Sequence, residues 1–245
     1  MNVVRLHSYR VIWSCLLLCL SGCEHLGFYQ QAALGQLALI SQAVPFTEVI
    51  DDPATSPELR GQLQMVANLL EFSANEIGLD ADRRYQRYVS LPREHVVWNV
   101  FVAAPTDLSG HYWCYPIVGC APYRGYFRQE LAQRQADRYR SRGFDTYVAG
   151  VDAYSTLGWF DDPILSSFID YPPVALANLL IHELSHSKVW VAGDVAFNEG
   201  FANFIGQAGA QQWLSDSAEG AKVAPVELER WRANRAHWRR FRAYA

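Results

Sequence analysis

Apolar residues fall into helical stripes toward both ends of this chain and into a β-branched and aromatic run in its middle, and that change of grammar sets the expected elements. From Tyr29 to Val44 the apolar positions Tyr29, Ala33, Leu37 and Ile40 recur at the spacing of one helix face. Asp51-Asp52-Pro53 breaks the chain. Ser56 as N-cap and Pro57 at the first helical position then open a second helix, with Leu59, Leu63, Val66, Leu70 and Ile77 on one stripe and Gly78 as its stop. The two stripes predict an antiparallel helical pair. Beyond Pro92, the run from Val96 to Val102 predicts a buried strand closed by Pro105. A polar helix from Arg128 to Arg142, ended by Gly143, and a short strand from Thr146 to Val151 follow.

Pro172 and Pro173 start the next helix, whose Leu176, Leu180 and Leu184 bury one side. This helix carries His182-Glu183-Leu184-Ser185-His186, and the four-residue step between the histidines turns about 400° and rises about 6 Å. Both imidazoles therefore project from one face and can share a metal ion, with Glu183 beside them. That layout suits a zinc ion (Zn²⁺) held by two neutral imidazoles, while an adjacent carboxylate takes a proton from the water that attacks a carbonyl.

Such a site needs a third protein ligand, and Glu199 is the expected one. If the first helix runs on to about Val191, Gly193 ends it and Asp194 caps the next. His186 then lies roughly 7 Å before the end and Glu199 about as far into the returning helix. Asn203, one turn later, can reach a ligand from behind. A developing oxyanion needs a donor on the opposite wall, and Tyr154 is the candidate, with Tyr126 and Tyr147 as runners-up. The loop from Asp152 to Pro163, dense in polar and aromatic groups, is expected at the cleft. Its Asp152, Asp161 and Asp162 are the nearest carboxylates that could bind a substrate's α-ammonium group.

The first residues are an address. Arg5 and Arg10 precede the apolar run Val11 to Leu20, too short to span a bilayer but suited to a secretory signal. Leu20-Ser21-Gly22-Cys23 resembles the bacterial lipobox, in which the cysteine is acylated and becomes the mature N-terminus. This reading divides the chain into a lipoprotein signal peptide over 1–22 and one mature domain over 23–245, tethered by lipid on Cys23. Glu24, where an aspartate often retains such lipoproteins at the inner membrane, implies the outer membrane, facing the periplasm. Cys15 and Cys19 leave with the leader, so Cys114 and Cys120 remain as a pair in an oxidising compartment and are expected to form a disulfide.

Composition adds bounds. Half of the 245 residues are hydrophobic, enough for a substantial core. The net charge of −4 becomes −6 without the leader, 19 basic against 25 acidic residues, which offers nucleic acid nothing.

The runs Val97 to Val100, Cys120 to Phe127, Ala153 to Phe160, His182 to His186 and Phe197-Asn198-Glu199 resemble the family of predicted bacterial zinc aminopeptidases. The stretch Asn198 to Ala202 is also similar to the third-ligand segment of gluzincin aminopeptidases. The resemblance implies an α+β, mostly helical, zincin-like domain with a small sheet, and a zinc peptidase that removes N-terminal residues from peptides in the cell envelope. The connection from His186 to Glu199 is shorter than in the gluzincins, Asp152 stands where the family has proline, and Lys188 follows a motif where uncharged residues are usual. The family's helical C-terminal region is expected to be cut short, because Leu228 to Ala245 begin an arginine-rich amphipathic helix with Trp231, Trp238 and Phe241 on its apolar side and then stop. The alternative is an inactive zinc-binding envelope lipoprotein with a binding or structural role.

Overall fold

The computed structural model of the chain describes residues 26–107, 109–115, 119–153, 156 and 160–244. Among the described residues it is an α+β protein built from helices and three small sheets. Helix α1 covers residues 26–42. Strand β1 (Val44–Pro45), helix α2 (Phe46–Asp51) and helix α3 (Pro57–Phe72) follow. In α3 the Ser56 hydroxyl accepts the Leu59 N–H, Pro57 occupies the first turn, and Leu63, Val66 and Leu70 are buried as their period requires. The helix widens into a π turn over Ser73–Ile77 and stops at Gly78, whose φ of 76° is open to glycine without strain.

Helix α1 departs from the expected stripe. Tyr29 and Leu37 are exposed, whereas Gln36, Leu39 and Ala43 are buried. The face has turned by about one residue, or 100°. The cause lies nearly a hundred residues away. A Cβ at Gly35 would sit 2.2 Å from the Phe127 ring, so glycine lets α1 close on that ring, while the Gln31 amide accepts the Phe127 N–H. The first half of α1 thus packs on the central sheet, with Phe28 edge-on to Tyr126, and only its far end joins the core of α3. The expected helical pair is replaced by a helix that bridges the two cores.

The central sheet has the order β6-β3-β7, with β3 (Val97–Ala103) antiparallel to β6 (Arg124–Tyr126) and to β7 (Asp145–Val151). Strand β2 (Arg87–Val89) pairs with β1 and, in parallel, with β8 (Ile164–Leu165). A hairpin of β4 (Trp113–Tyr115) and β5 (Gly119–Ala121) sets Cys114 opposite Cys120, and a disulfide joins them. One face of the central sheet buries Trp98, Val100 and Val102 with Tyr126 against helix α4 (Gln129–Arg140), through Ala132 and Ala136. Alternation turns Val97 and Asn99 to the other face, toward the first two of the last three helices.

The last three helices are α5 (Pro173–His186), α6 (Val195–Asp216) and α7 (Ala218–Tyr244). Helix α5 is nearly surrounded, with Leu176, Leu180, Ile181 and Leu184 all buried. Helix α6 lies against it along small residues. A Cβ at Gly206 would come within 2.7 Å of the Asn178 carbonyl oxygen and 3.0 Å of His182 Cβ, and one at Gly209 would meet Ile77 and Ile181. Glycine at these positions sets how closely the two helices approach. In α7 the backbone is helical, but the apolar face assigned to Trp231, Trp238 and Phe241 lies outside the described side chains. Among the described residues, no helix is long and apolar enough to cross a membrane.

Candidate metal centre

Helix α5 ends at His186 and not near Val191, so the link to α6 is built differently from the sequence expectation. The Ser187 and Lys188 N–H groups donate to the carbonyls of Leu184 and Ser185, three residues back, which tightens and ends the helix. A few residues on, buried Asn198, on the first turn of α6, grips Val191 by both backbone groups. Its Oδ1 accepts the Val191 N–H and its Nδ2 donates to the Val191 carbonyl, each at 2.8 Å. Gly193 supplies a left-handed residue (φ 83°), and the Asp194 carboxylate accepts the Phe197 N–H as N-cap. These contacts fix where α6 begins and therefore where Glu199 stands.

Glu199 reaches both histidines. The His182 and His186 Nε2 atoms are 3.1 Å apart, and the Glu199 carboxylate puts one oxygen 3.5 Å from His182 Nε2 and the other 3.6 Å from His186 Nε2. Ligands about 2.0–2.1 Å from a tetrahedral ion are separated by about 3.3 Å, so two imidazoles and a carboxylate at these spacings fit a zinc-sized divalent ion. Among the described residues, His182, His186 and Glu199 are the group able to hold a metal ion.

The electrostatics suit the same use. Burial is the largest influence on His186 and holds its pKa below the ordinary histidine value, keeping a neutral ring with a free lone pair. Glu199 is held below the usual carboxylate range, first by its hydrogen bond with His182, so it is ionised. For His182, burial pulls the pKa down most strongly, but the Glu199 hydrogen bond and the charges of Glu183 and Glu199 together raise it. Metal binding there competes with a proton, as at any imidazole ligand. Glu183, half-buried beside the pair, is pushed up to about 7, chiefly by desolvation, with His182 opposing and Glu199 and Asp162 adding to the rise. A carboxylate poised near neutrality can both accept and return a proton.

The cluster opens into a cleft of about 480 Å³ between α5, α6, the disulfide hairpin and the outward face of the central sheet. Val97, Asn99 and Gly125 form its sheet wall. Among the described residues lining it, Glu183 and Glu199 are the carboxylates, and no lysine or arginine is present.

The other expected site residues are distributed as follows. Tyr154 and Cys23 lie outside the described residues. Asn203 is exposed and is not brought to the cluster. Tyr126 is buried under Phe28, and Tyr147 is largely exposed beside Phe101. The three loop aspartates have partners of their own, and Asp162 stays near enough to Glu183 to raise its pKa. Asp152 bonds His95 Nδ1 at 2.5 Å and accepts from the Tyr171 hydroxyl, Asp161 pairs with Arg83, and buried Asp162 accepts from the backbone N–H and hydroxyl of Thr156.

Two residues that sequence reasoning missed stand at the site. Asn198 is one, and its signal was its place immediately before Glu199. Tyr123 is the other. It lines the cleft, and burial followed by the charges of Glu199 and Glu183 raises its phenol pKa, which keeps the proton on a potential donor.

The fold and cluster define an α+β protein with a two-histidine, one-carboxylate site able to hold a metal ion, shared by two consecutive helices. The family model described as "Putative aminopeptidase" matches residues 27–245, and the chain belongs to that family. No curated protein and no solved structure matches the chain.

Proposed function

We propose that the protein is a zinc-dependent peptidase of zincin-like construction that removes N-terminal residues from peptides in the cell envelope. The observation that carries this reading is the convergence of His182, His186 and Glu199 at tetrahedral-ligand spacing, with Glu183 alongside on the same helix turn. His182, His186 and Glu199 would hold the zinc ion, which would supply Lewis-acid activation of water and carbonyl. The protein's own groups do the rest. The Glu183 carboxylate accepts a proton from the attacking water as the O–C bond forms, then returns it to the leaving nitrogen as the C–N bond breaks.

The developing oxyanion needs a hydrogen-bond donor. The sequence points to Tyr154; of the described tyrosines that line the cleft, Tyr115 and Tyr123, it is Tyr123 whose phenol feels the charges of Glu199 and Glu183. Tyr123→Phe is expected to lower kcat by about 10²-fold with zinc content and KM little changed, the cost of losing one oxyanion donor. Unchanged kcat in Tyr123→Phe together with a loss in Tyr154→Phe returns the role to Tyr154.

The functional test is hydrolysis by zinc-loaded protein of matched peptides with free or acetylated N-termini. Preferential cleavage of the free set, abolished by a chelator and restored by zinc, is the expected result. Equal cleavage of both sets makes the protein an endopeptidase, and no cleavage of either overturns the peptidase reading.

We also infer that lipid on Cys23 tethers the protein to the envelope, facing the periplasm. The support is Leu20-Ser21-Gly22-Cys23 behind a short apolar run. Cys23→Ser is expected to release the protein into the soluble fraction and to abolish labelling by a fatty-acid probe. Membrane association that persists without label would overturn the anchor.

A further inference from the structure

Strand alternation places Val97, Asn99 and Phe101 on one face of β3, and the first two line the metal cleft. Phe101 continues that face about 7 Å beyond Asn99. Register sets Tyr147 of β7 directly opposite Phe101, with ring centroids 6.2 Å apart. On the other flank Tyr123, just before β6, tilts against Phe101 at 5.6 Å. Three rings therefore cross the sheet in a row, from Tyr123 in the cleft out to Tyr147.

The row is open. Tyr123 is 38% exposed and Tyr147 67% exposed. The opposite face of the same strands is buried against α4, so the sheet core does not require aromatic rings on this side. A contiguous aromatic surface left in water beside a cleft marks a place where apolar groups dock. Its chemistry narrows the ligand. Among the described residues lining the adjoining cleft none is lysine or arginine, and the half-buried Asn99 carboxamide, with no hydrogen bond to the described residues, can pair with a peptide group.

We propose that Tyr123, Phe101 and Tyr147 form the specificity subsite of the cleft, taking a bulky apolar or aromatic side chain of a peptide bound along the sheet. The step from Asn99 to Phe101 matches about two residues of extended peptide, so the side chain recognised lies about two residues from the bond at the metal. This assignment rests on the peptidase reading for its substrate class, but its test reads binding and not turnover.

Zinc-loaded Glu183→Gln protein is titrated calorimetrically with a pentapeptide of alanines and with the five peptides in which one alanine becomes phenylalanine. One phenylalanine position is expected to bind about fivefold to tenfold tighter than alanine, the scale of one added aromatic contact. In Tyr147→Ser and in Phe101→Ser the ratio falls below about twofold, while Tyr147→Phe keeps it. Tyr147 is largely exposed, so its variants test the subsite without disturbing the core, and circular dichroism checks their fold. No preferred position, or a preference that survives both serine variants, overturns the subsite. Wild-type turnover is measured in parallel. A phenylalanine preference without turnover counts against the catalytic reading alone, and turnover without the preference counts against the subsite alone.

Discussion

Glu183→Gln protein is expected to bind zinc as the wild type does and to hydrolyse peptides about 10²- to 10⁴-fold more slowly, the range that a positioned general base contributes. Glutamine keeps the size of the side chain and its hydrogen-bonding oxygen but cannot accept the water proton. Glu183 is one residue on from His182 and three before His186, so it points about 100° around the helix from the first imidazole and about 60° from the second. It stands beside the ligand set without belonging to it. Its pKa, pushed up to about 7, arises mainly from desolvation, the environment a proton shuttle needs. Metal content by atomic spectroscopy and kcat on the same sample provide the check. Wild-type activity in the variant would remove Glu183 from the mechanism, and loss of the metal would make it a ligand.

The metal site is also expected to fail in two separable ways. Glu199→Ala removes one of three donors and should weaken zinc binding by more than about 100-fold, since partners that merely orient a ligand are worth about 10- to 100-fold. Gly206→Val removes no donor, yet it should weaken zinc as well and destabilise the fold by about 1–3 kcal/mol, the cost of overpacking. Its Cβ would press on the Asn178 carbonyl at 2.7 Å and on His182 Cβ at 3.0 Å, forcing α6 away from α5. Gly200→Ala is the control. Nothing lies within 4 Å of a Cβ there, so an alanine in that helix should stabilise by about 0.5–1 kcal/mol and leave metal affinity alone. Chelator competition and thermal melts measure both quantities. Wild-type affinity in Gly206→Val would show that the spacing of the two helices is not what positions Glu199.

The family match over residues 27–245 and the ring of three donors bear on different questions. Family membership points to peptide substrates. Neither one assigns a carboxylate to an α-ammonium group, since Asp152 is bonded to His95, Asp161 to Arg83 and Asp162 to Thr156. The comparison of free and acetylated peptides therefore decides more about this enzyme class than any ligand variant.

What the sequence determined by itself was local. A four-residue histidine spacing on an apolar helix is a statement about 3.6 residues per turn, so the projection of His182 and His186 to one side needed no partner. Ser56 and Pro57 as a helix start, Gly78 as its stop and Asp194 as a cap are likewise settled within a few residues. Tertiary structure decided whatever depends on groups distant along the chain. Periodicity gave α1 a stripe, but Phe127 against Gly35 chose which face turned inward. The end of α5 moved from Val191 back to His186 because a side chain of the next helix, Asn198, took the Val191 backbone groups that a longer helix would have used. Tyr123 entered the cleft, and Tyr126, three residues on, entered the core, because a strand of three residues alternates its faces and only sheet pairing fixes which face is which. Asp152 followed the same rule, since its carboxylate went to His95 and Tyr171, more than fifty residues before it and nearly twenty after.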